Sequence, residues 1–110
     1  MKLFKRFTFE AAHSLPDYPE IHGHSYHVEI WIQGNAVDGY VMLESEFEKE
    51  CLYIKSIYDH KNLDKFFDLP TSENIAIGIW ALLKHSLPLF EIRVERPTIG
   101  LGAVYNGEFE

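Results

Sequence analysis

The stretch Phe9-Glu10-Ala11-Ala12-His13, followed after a short gap by His22-Gly23-His24-Ser25-Tyr26, decides how the rest of the chain is read. Apolar residues alternate through both flanks, which predicts strands over residues 3–13 and 24–33. Alternate residues of a strand share a face. His13 therefore lies with Phe7, Phe9 and Ala11, and His24 lies with Tyr26, Val28, Ile30 and Ile32. Each apolar face ends in an imidazole. His22, two residues before His24, can share that face, and Gly23 between them allows a close backbone approach. Three neutral imidazoles can hold Zn²⁺ at about 2.0–2.1 Å each and leave a fourth tetrahedral position for water or substrate, the mark of a catalytic site. A solitary His-x-His is more often a pair of ordinary hydrogen-bonding histidines. The third histidine, in register across a hairpin, is what favours a metal.

The 110 residues fit one domain, 1–110, with a modest core, and 46% hydrophobic with 15% aromatic residues marks a globular chain. No apolar run approaches the roughly 18 residues of a membrane span, and Met1-Lys2-Leu3-Phe4-Lys5-Arg6 lacks a signal-peptide apolar region. A cytoplasmic protein without a membrane partner is the expectation. The single cysteine, Cys51, cannot form an internal disulfide. A formal net charge of -7 argues against a nucleic-acid partner, which needs a basic patch.

The coarse order is ββααββ, an α+β chain with an antiparallel four-stranded sheet and two helices. Gly34-Asn35 and Asp38-Gly39 mark turns. Ser45-Glu46-Phe47-Glu48 has the form of a capping box opening a helix on which Phe47, Cys51, Ile54 and Tyr58 share one face. Cys51 reads as a small core residue. Thr71-Ser72-Glu73-Asn74 opens a second helix, apolar nearly all round, which Pro88 bars from continuing. Strands follow near Leu89–Glu95 and Leu101–Tyr105. Edge strands of this length invite pairing with other subunits, and closure into a ring is one solution.

The chain resembles the 6-pyruvoyltetrahydropterin synthase and 6-carboxytetrahydropterin synthase family. The resemblance rests, in order, on Phe9 to His13, His22 to His24, Asp59-His60-Lys61-Asn62-Leu63, Pro70-Thr71-Ser72-Glu73-Asn74 and Glu95. It implies the tunnelling fold, a homohexamer built as a dimer of trimers whose sheets close into barrels, and a zinc-dependent pterin site between subunits. It implies His13, His22 and His24 as zinc ligands. Glu95 is implied as the anchor of the pterin ring, a task for which two carboxylate oxygens can accept a pair of parallel hydrogen bonds. Asp59 and His60 are implied in proton transfer, since an imidazole titrates near neutrality and a carboxylate can fix its tautomer. Thr71 and Ser72 are implied near bound substrate, besides starting a helix.

The chain also departs from that pattern. Family members usually carry a catalytic cysteine four residues before His-Gly-His, where this chain has Tyr18, and the segment between His13 and His22 is shorter than usual. Glu20 is a candidate replacement base, since some relatives use a glutamate to cleave the side chain of dihydroneopterin triphosphate. Leu43-Glu44 stands where Asp-Phe is usual, and Arg96 follows Glu95 where a threonine is usual. Two functions stay open at this point. One is a zinc-dependent lyase acting on the side chain of a reduced pterin such as 7,8-dihydroneopterin triphosphate. The other is a zinc-containing pterin- or purine-binding relative without the cysteine-dependent activity. A purely structural zinc is disfavoured, because only Glu20 or Asp17 could supply a fourth protein ligand nearby.

Overall fold

The computed structural model describes residues 1–110. Two long strands, β1 (Lys2–Leu15) and β2 (Tyr18–Gln33), form an antiparallel hairpin that dominates the molecule. Helix α1 (Glu44–Tyr58), a two-residue strand β3 (Lys61–Asn62), a 3₁₀ turn (Leu63–Lys65) and helix α2 (Ser72–Leu83) follow, then β4 (Leu89–Arg96) and β5 (Leu101–Tyr105). The sheet order is β3-β1-β2-β4-β5. It has five strands, not the expected four, and it is mixed, because β3 runs parallel to β1 through Ala11↔Lys61 and Ala12↔Asn62. A strand of two residues has no periodicity to read, which is why the pattern misses it.

Both helices lie on one face of the sheet. The inward residues Phe9, Tyr26, Val28, Ile30, Ile32, Ile92 and Val94 are all at most 1% exposed. Helix α1 lays Phe47, Cys51, Ile54 and Tyr58 against β1, and α2 lays Ile75, Ala76, Ile79 and Leu83 against β4 and β5. Phe9 and Tyr26 stack at 4.9 Å across the hairpin. Helix α1 begins at Glu44, so Ser45 sits inside it and makes no capping box; the N-cap is Leu43, without a side-chain bond. Helix α2 begins as its sequence expects, with Thr71 Oγ1 accepting from the Asn74 N–H at 3.1 Å. The opposite face of the sheet is covered by nothing in this chain. It carries a polar lattice in which Glu29 accepts from Arg6 Nε at 2.8 Å and Arg93 lies over the Trp31 ring at 4.3 Å.

The hairpin reaches further than the sequence pattern suggests. Its strands run on to Leu15 and Tyr18, joined by a two-residue turn at Pro16-Asp17. The register shifts between His13 and Leu15, so that Ser14 faces the three residues Pro19, Glu20 and Ile21. Such an irregularity bends the strand and re-aims its side chains. It lies immediately beyond the histidines.

Candidate metal centre

His13 and His22 are directly paired across the hairpin, and His24 pairs with Ala11 one step inward along the same face. The three rings stand edge to face, with centroids 4.6, 5.0 and 4.9 Å apart. One ligand nitrogen from each falls within 4.8 Å of the others, a cluster able to hold a metal ion. His13 is fully buried and the other two are half-buried.

The surroundings set the tautomers. His13 Nδ1 donates to the Pro70 carbonyl at 2.9 Å, with Tyr26 Oη 3.1 Å from the same nitrogen. His22 Nδ1 donates to the Glu20 carbonyl at 2.8 Å. A carbonyl can only accept, so the hydrogen of each neutral ring is assigned to Nδ1, leaving Nε2 with a bare lone pair. The two Nε2 atoms then face each other at 2.9 Å with no proton between them, and His24 Nε2 is buried without any partner. Lone pairs so placed repel, and an orphaned buried nitrogen costs about 1–3 kcal/mol. A cation at their meeting point would relieve both, and three neutral imidazoles suit a divalent transition metal. The residues present therefore fit such an ion. Ligating histidines held through Nδ1 by a carbonyl are the usual second layer of such sites.

Electrostatics favour the neutral rings that ligation needs. Burial, then the positive neighbours His13, Arg96 and His22, bring the His24 pKa down to about 4. His13 is lowered chiefly by burial, against the opposing pull of Pro70. Tyr26 is pushed up to about 12 by burial and stays a phenol.

The other sequence-derived candidates fall into two groups. Near the triad, Ser72 is buried with Oγ unpartnered, and Thr71 is occupied as the cap of α2. Glu20 is exposed; its carbonyl holds His22, and the residue lines a cleft of about 430 Å³ with Asp17, Tyr18 and His22. Asp59, His60 and Glu95 make no hydrogen bond to the triad within one chain. Glu95 is paired with His27, which points to the uncovered face, opposite to His24. His60 sits at φ 60 with its side chain 78% exposed, its backbone N–H bonded to the Glu10 carbonyl and its Nδ1 3.0 Å from Asp59 Oδ2. Asp59 accepts the Glu10 N–H at 2.9 Å, and this bond first and His60 second hold its carboxyl below the usual range. His60 borders an open cleft of about 690 Å³ that Glu10, His24, Ser25 and Lys61 also line. Gly102, opposite Glu95, lies so close that a Cβ there would stand 2.8 Å from the Val94 carbonyl and 3.1 Å from Glu95 Cβ. Only a glycine allows β5 to approach β4 this closely beside Glu95.

Three participants were not among the site residues read from the sequence. Pro70 acts through a carbonyl, which no side-chain pattern shows. Asp64 accepts both the N–H and the hydroxyl of Ser14, at 2.9 and 2.6 Å, pinning β1 one residue past His13. Arg96 is inward-facing and 6% exposed, and its charge reaches His13, His24 and Tyr26. Its signal was the break in alternation after Ile92 and Val94.

The 6-pyruvoyl tetrahydropterin synthase family model matches residues 2–108. Dihydroneopterin monophosphate aldolase of Pyrococcus furiosus is 32% identical over 111 residues, covering 99% of this chain and 96% of its own length. Human 6-pyruvoyl tetrahydrobiopterin synthase is 34% identical over 103 residues, covering 82% and 69%. The solved structure of Caenorhabditis elegans 6-pyruvoyl tetrahydropterin synthase superposes with a TM-score of 0.85 at 25% identity, covering 98% of this chain and 96% of that one. Two helices on one face of a mixed five-stranded sheet, with that neighbour, make this an α+β tunnelling fold. Sequence, architecture and the ordered motifs agree, and the chain belongs to the 6-pyruvoyl tetrahydropterin synthase family.

Proposed function

We propose that this chain is a zinc-dependent lyase that cleaves the side chain of a reduced pterin, with a 7,8-dihydroneopterin phosphate as substrate. The observation that carries the reading is the convergence of three imidazoles whose Nε2 atoms are left bare, two of them by carbonyl bonds at Nδ1. His13, His22 and His24 would hold the ion through those nitrogens. Zinc bound there supplies Lewis acidity toward a side-chain hydroxyl or carbonyl oxygen. The near full-length likeness to a protein named as an aldolase supports carbon–carbon cleavage as the reaction.

In such a cleavage a base takes the proton from the hydroxyl on the second side-chain carbon. The bond between the first and second carbons breaks, the electron pair moves into the pterin ring system, and a proton returns to the first carbon. Two groups of this chain can move that proton. Glu20 lines the same cleft as His22 and carries an exposed side chain. The Asp59–His60 pair is preset at 3.0 Å, with Asp59 orienting the imidazole. The exposed position of His60, and the placing of Glu95 on the uncovered face, suit work on the triad of an adjacent copy. A site shared between subunits of a hexamer is therefore part of the proposal. Within it, Glu95 would receive the ring through paired hydrogen bonds.

A second reading is a pterin- or purine-binding relative without the cysteine-dependent reaction. It is favoured by the absence of any thiol at the site: Cys51 is buried in α1, and burial pushes it up to about 12. Incubation of the zinc-loaded protein with the mono- and triphosphates of 7,8-dihydroneopterin, with products identified by mass spectrometry, separates the two. Release of a two-carbon fragment is expected, and no turnover of any reduced pterin would leave the binding reading.

A further inference from the structure

Arg96, 6% exposed, is the one charged residue other than histidine among the buried residues. It follows the last ladder pair, His27↔Glu95, which sets it beside Tyr26 on the face that carries His24 and His13. The chain has 17 acidic residues, yet none of its ion pairs includes Arg96, and Nε has no hydrogen-bond partner. A guanidinium cannot escape by losing its proton. Its Nε, buried without an acceptor, carries the cost of an unmet charged donor.

This positive charge is also misplaced for a metal site considered alone, because it opposes a divalent cation at the histidines. The arrangement becomes coherent when a third component brings negative charge. The buried side-chain atoms without partners are His24 Nε2, Ser72 Oγ and Arg96 Nε. Ser72 lies two residues from the Pro70 carbonyl that touches His13, at the N-terminal end of α2, where the helix dipole favours an anion. A cation satisfies the first of these orphans. An anion with several acceptor oxygens satisfies the other two.

We propose that Arg96 and Ser72 form an anion subsite beside the histidine triad that receives a phosphate monoester on the substrate side chain, making Arg96 a specificity-determining residue. The assignment rests on the pterin reading above for the identity of the substrate, and on the unpaired guanidinium for the anion. A phosphate fits better than a carboxylate. The donors come from two different elements, a strand end and a helix start, and a tetrahedral dianion can accept from both directions while keeping oxygens for the planar fork of the arginine.

Two measurements test this. In the first, metal-free protein is titrated with inorganic phosphate by calorimetry. One site per chain is expected, weakened at least about 10-fold in Arg96→Gln and unchanged in Arg93→Gln, whose guanidinium lies on the uncovered face. Equal binding by the parent and Arg96→Gln overturns the subsite. In the second, the zinc-loaded protein is given 7,8-dihydroneopterin with and without its terminal phosphate. The parent is expected to favour the phosphorylated form by about 10²-fold in kcat/KM, the scale of a charge-assisted pair. Arg96→Gln should bring the ratio toward unity, with Arg96→Lys intermediate because it keeps the charge and loses the fork. A ratio that Arg96→Gln does not change, or a parent with no preference, refutes the proposal. Should Arg96→Gln fail to fold, the Arg96→Lys ratio decides in the same way. Phosphate binding without turnover of any pterin would refute the lyase reading and leave the subsite standing.

Discussion

Acidifying the metal-free protein from above pH 6.5 to about pH 4 should remove about 3 kcal/mol of stability through His24 alone. Its folded pKa is about 4, against 6.5 for an unperturbed histidine, and each unit is worth about 1.4 kcal/mol. The depressed value means that the folded state prefers the neutral ring. Between the two values the unfolded chain binds the proton and the folded chain does not, so stability is complete above about 6.5, falls as the pH drops, and levels off below about 4. His13 is shifted in the same direction, and because the rings face each other their protonations couple and broaden the transition. Lowered carboxylates at Asp59 and Asp64 also lose their contribution on acidification, but below their ordinary carboxylate range. The informative quantity is therefore the difference between the parent and His24→Gln. Urea unfolding in chelator at several pH values should show a profile flatter in the variant by about 3 kcal/mol over this window. Parallel profiles would refute the argument that burial, with no compensating partner at Nε2, governs this ring. Excess zinc should raise the parent by about 4 kcal/mol at a thousandfold over Kd and leave the variant far behind.

Single substitutions His13→Ala, His22→Ala and His24→Ala should each abolish stoichiometric zinc by elemental analysis, while His27→Ala, on the opposite face, should keep about one ion per chain; full zinc in His24→Ala would count against the centre. Glu20→Gln should retain zinc, because the carbonyl that holds His22 is untouched, yet lose on the order of 10²-fold in turnover if its carboxylate is the base. Full activity there beside a dead His60→Ala would assign the proton to the Asp59–His60 pair, and Cys51→Ala should be nearly silent in kcat. Light scattering after size exclusion should give a hexamer, and a monomer at micromolar concentration would remove the shared site from the proposal.

The histidine triad was legible because strand alternation converts sequence spacing into a common face, and His13, His22 and His24 obey it. The core of α1 was legible for the same reason at helical spacing. Three features were not. Strand β3 is two residues long and is held by parallel pairing to Ala11 and Ala12, a tertiary contact with no local signature. The start of α1 misled because Ser45 sits one residue inside the helix, where its side chain caps nothing. The shift at Ser14 depends on Asp64, fifty residues away, whose carboxylate takes both donors of that serine. Arg96 was visible as a departure from the family pattern, but only its burial without an acid turns that departure into a chemical statement.

The shortened hairpin connects these points to the missing thiol. With Pro16-Asp17 as a two-residue turn, the chain between His13 and His22 has no spare length to carry a side chain back over the triad, and Tyr18 stands 67% exposed instead. The irregularity opposite Ser14 places the Glu20 carbonyl on His22 Nδ1, and Asp64 clamps the other strand. In the proposed site the Glu20 backbone would serve the metal through His22, leaving its carboxylate for proton transfer. A base delivered from Asp59 and His60 needs no room in the hairpin at all, because that pair is fixed to β1 through Glu10 and faces outward. Loss of the cysteine is thus compatible with chemistry at this centre, provided the proton acceptor comes from the bulge carboxylate or from a second copy of the chain.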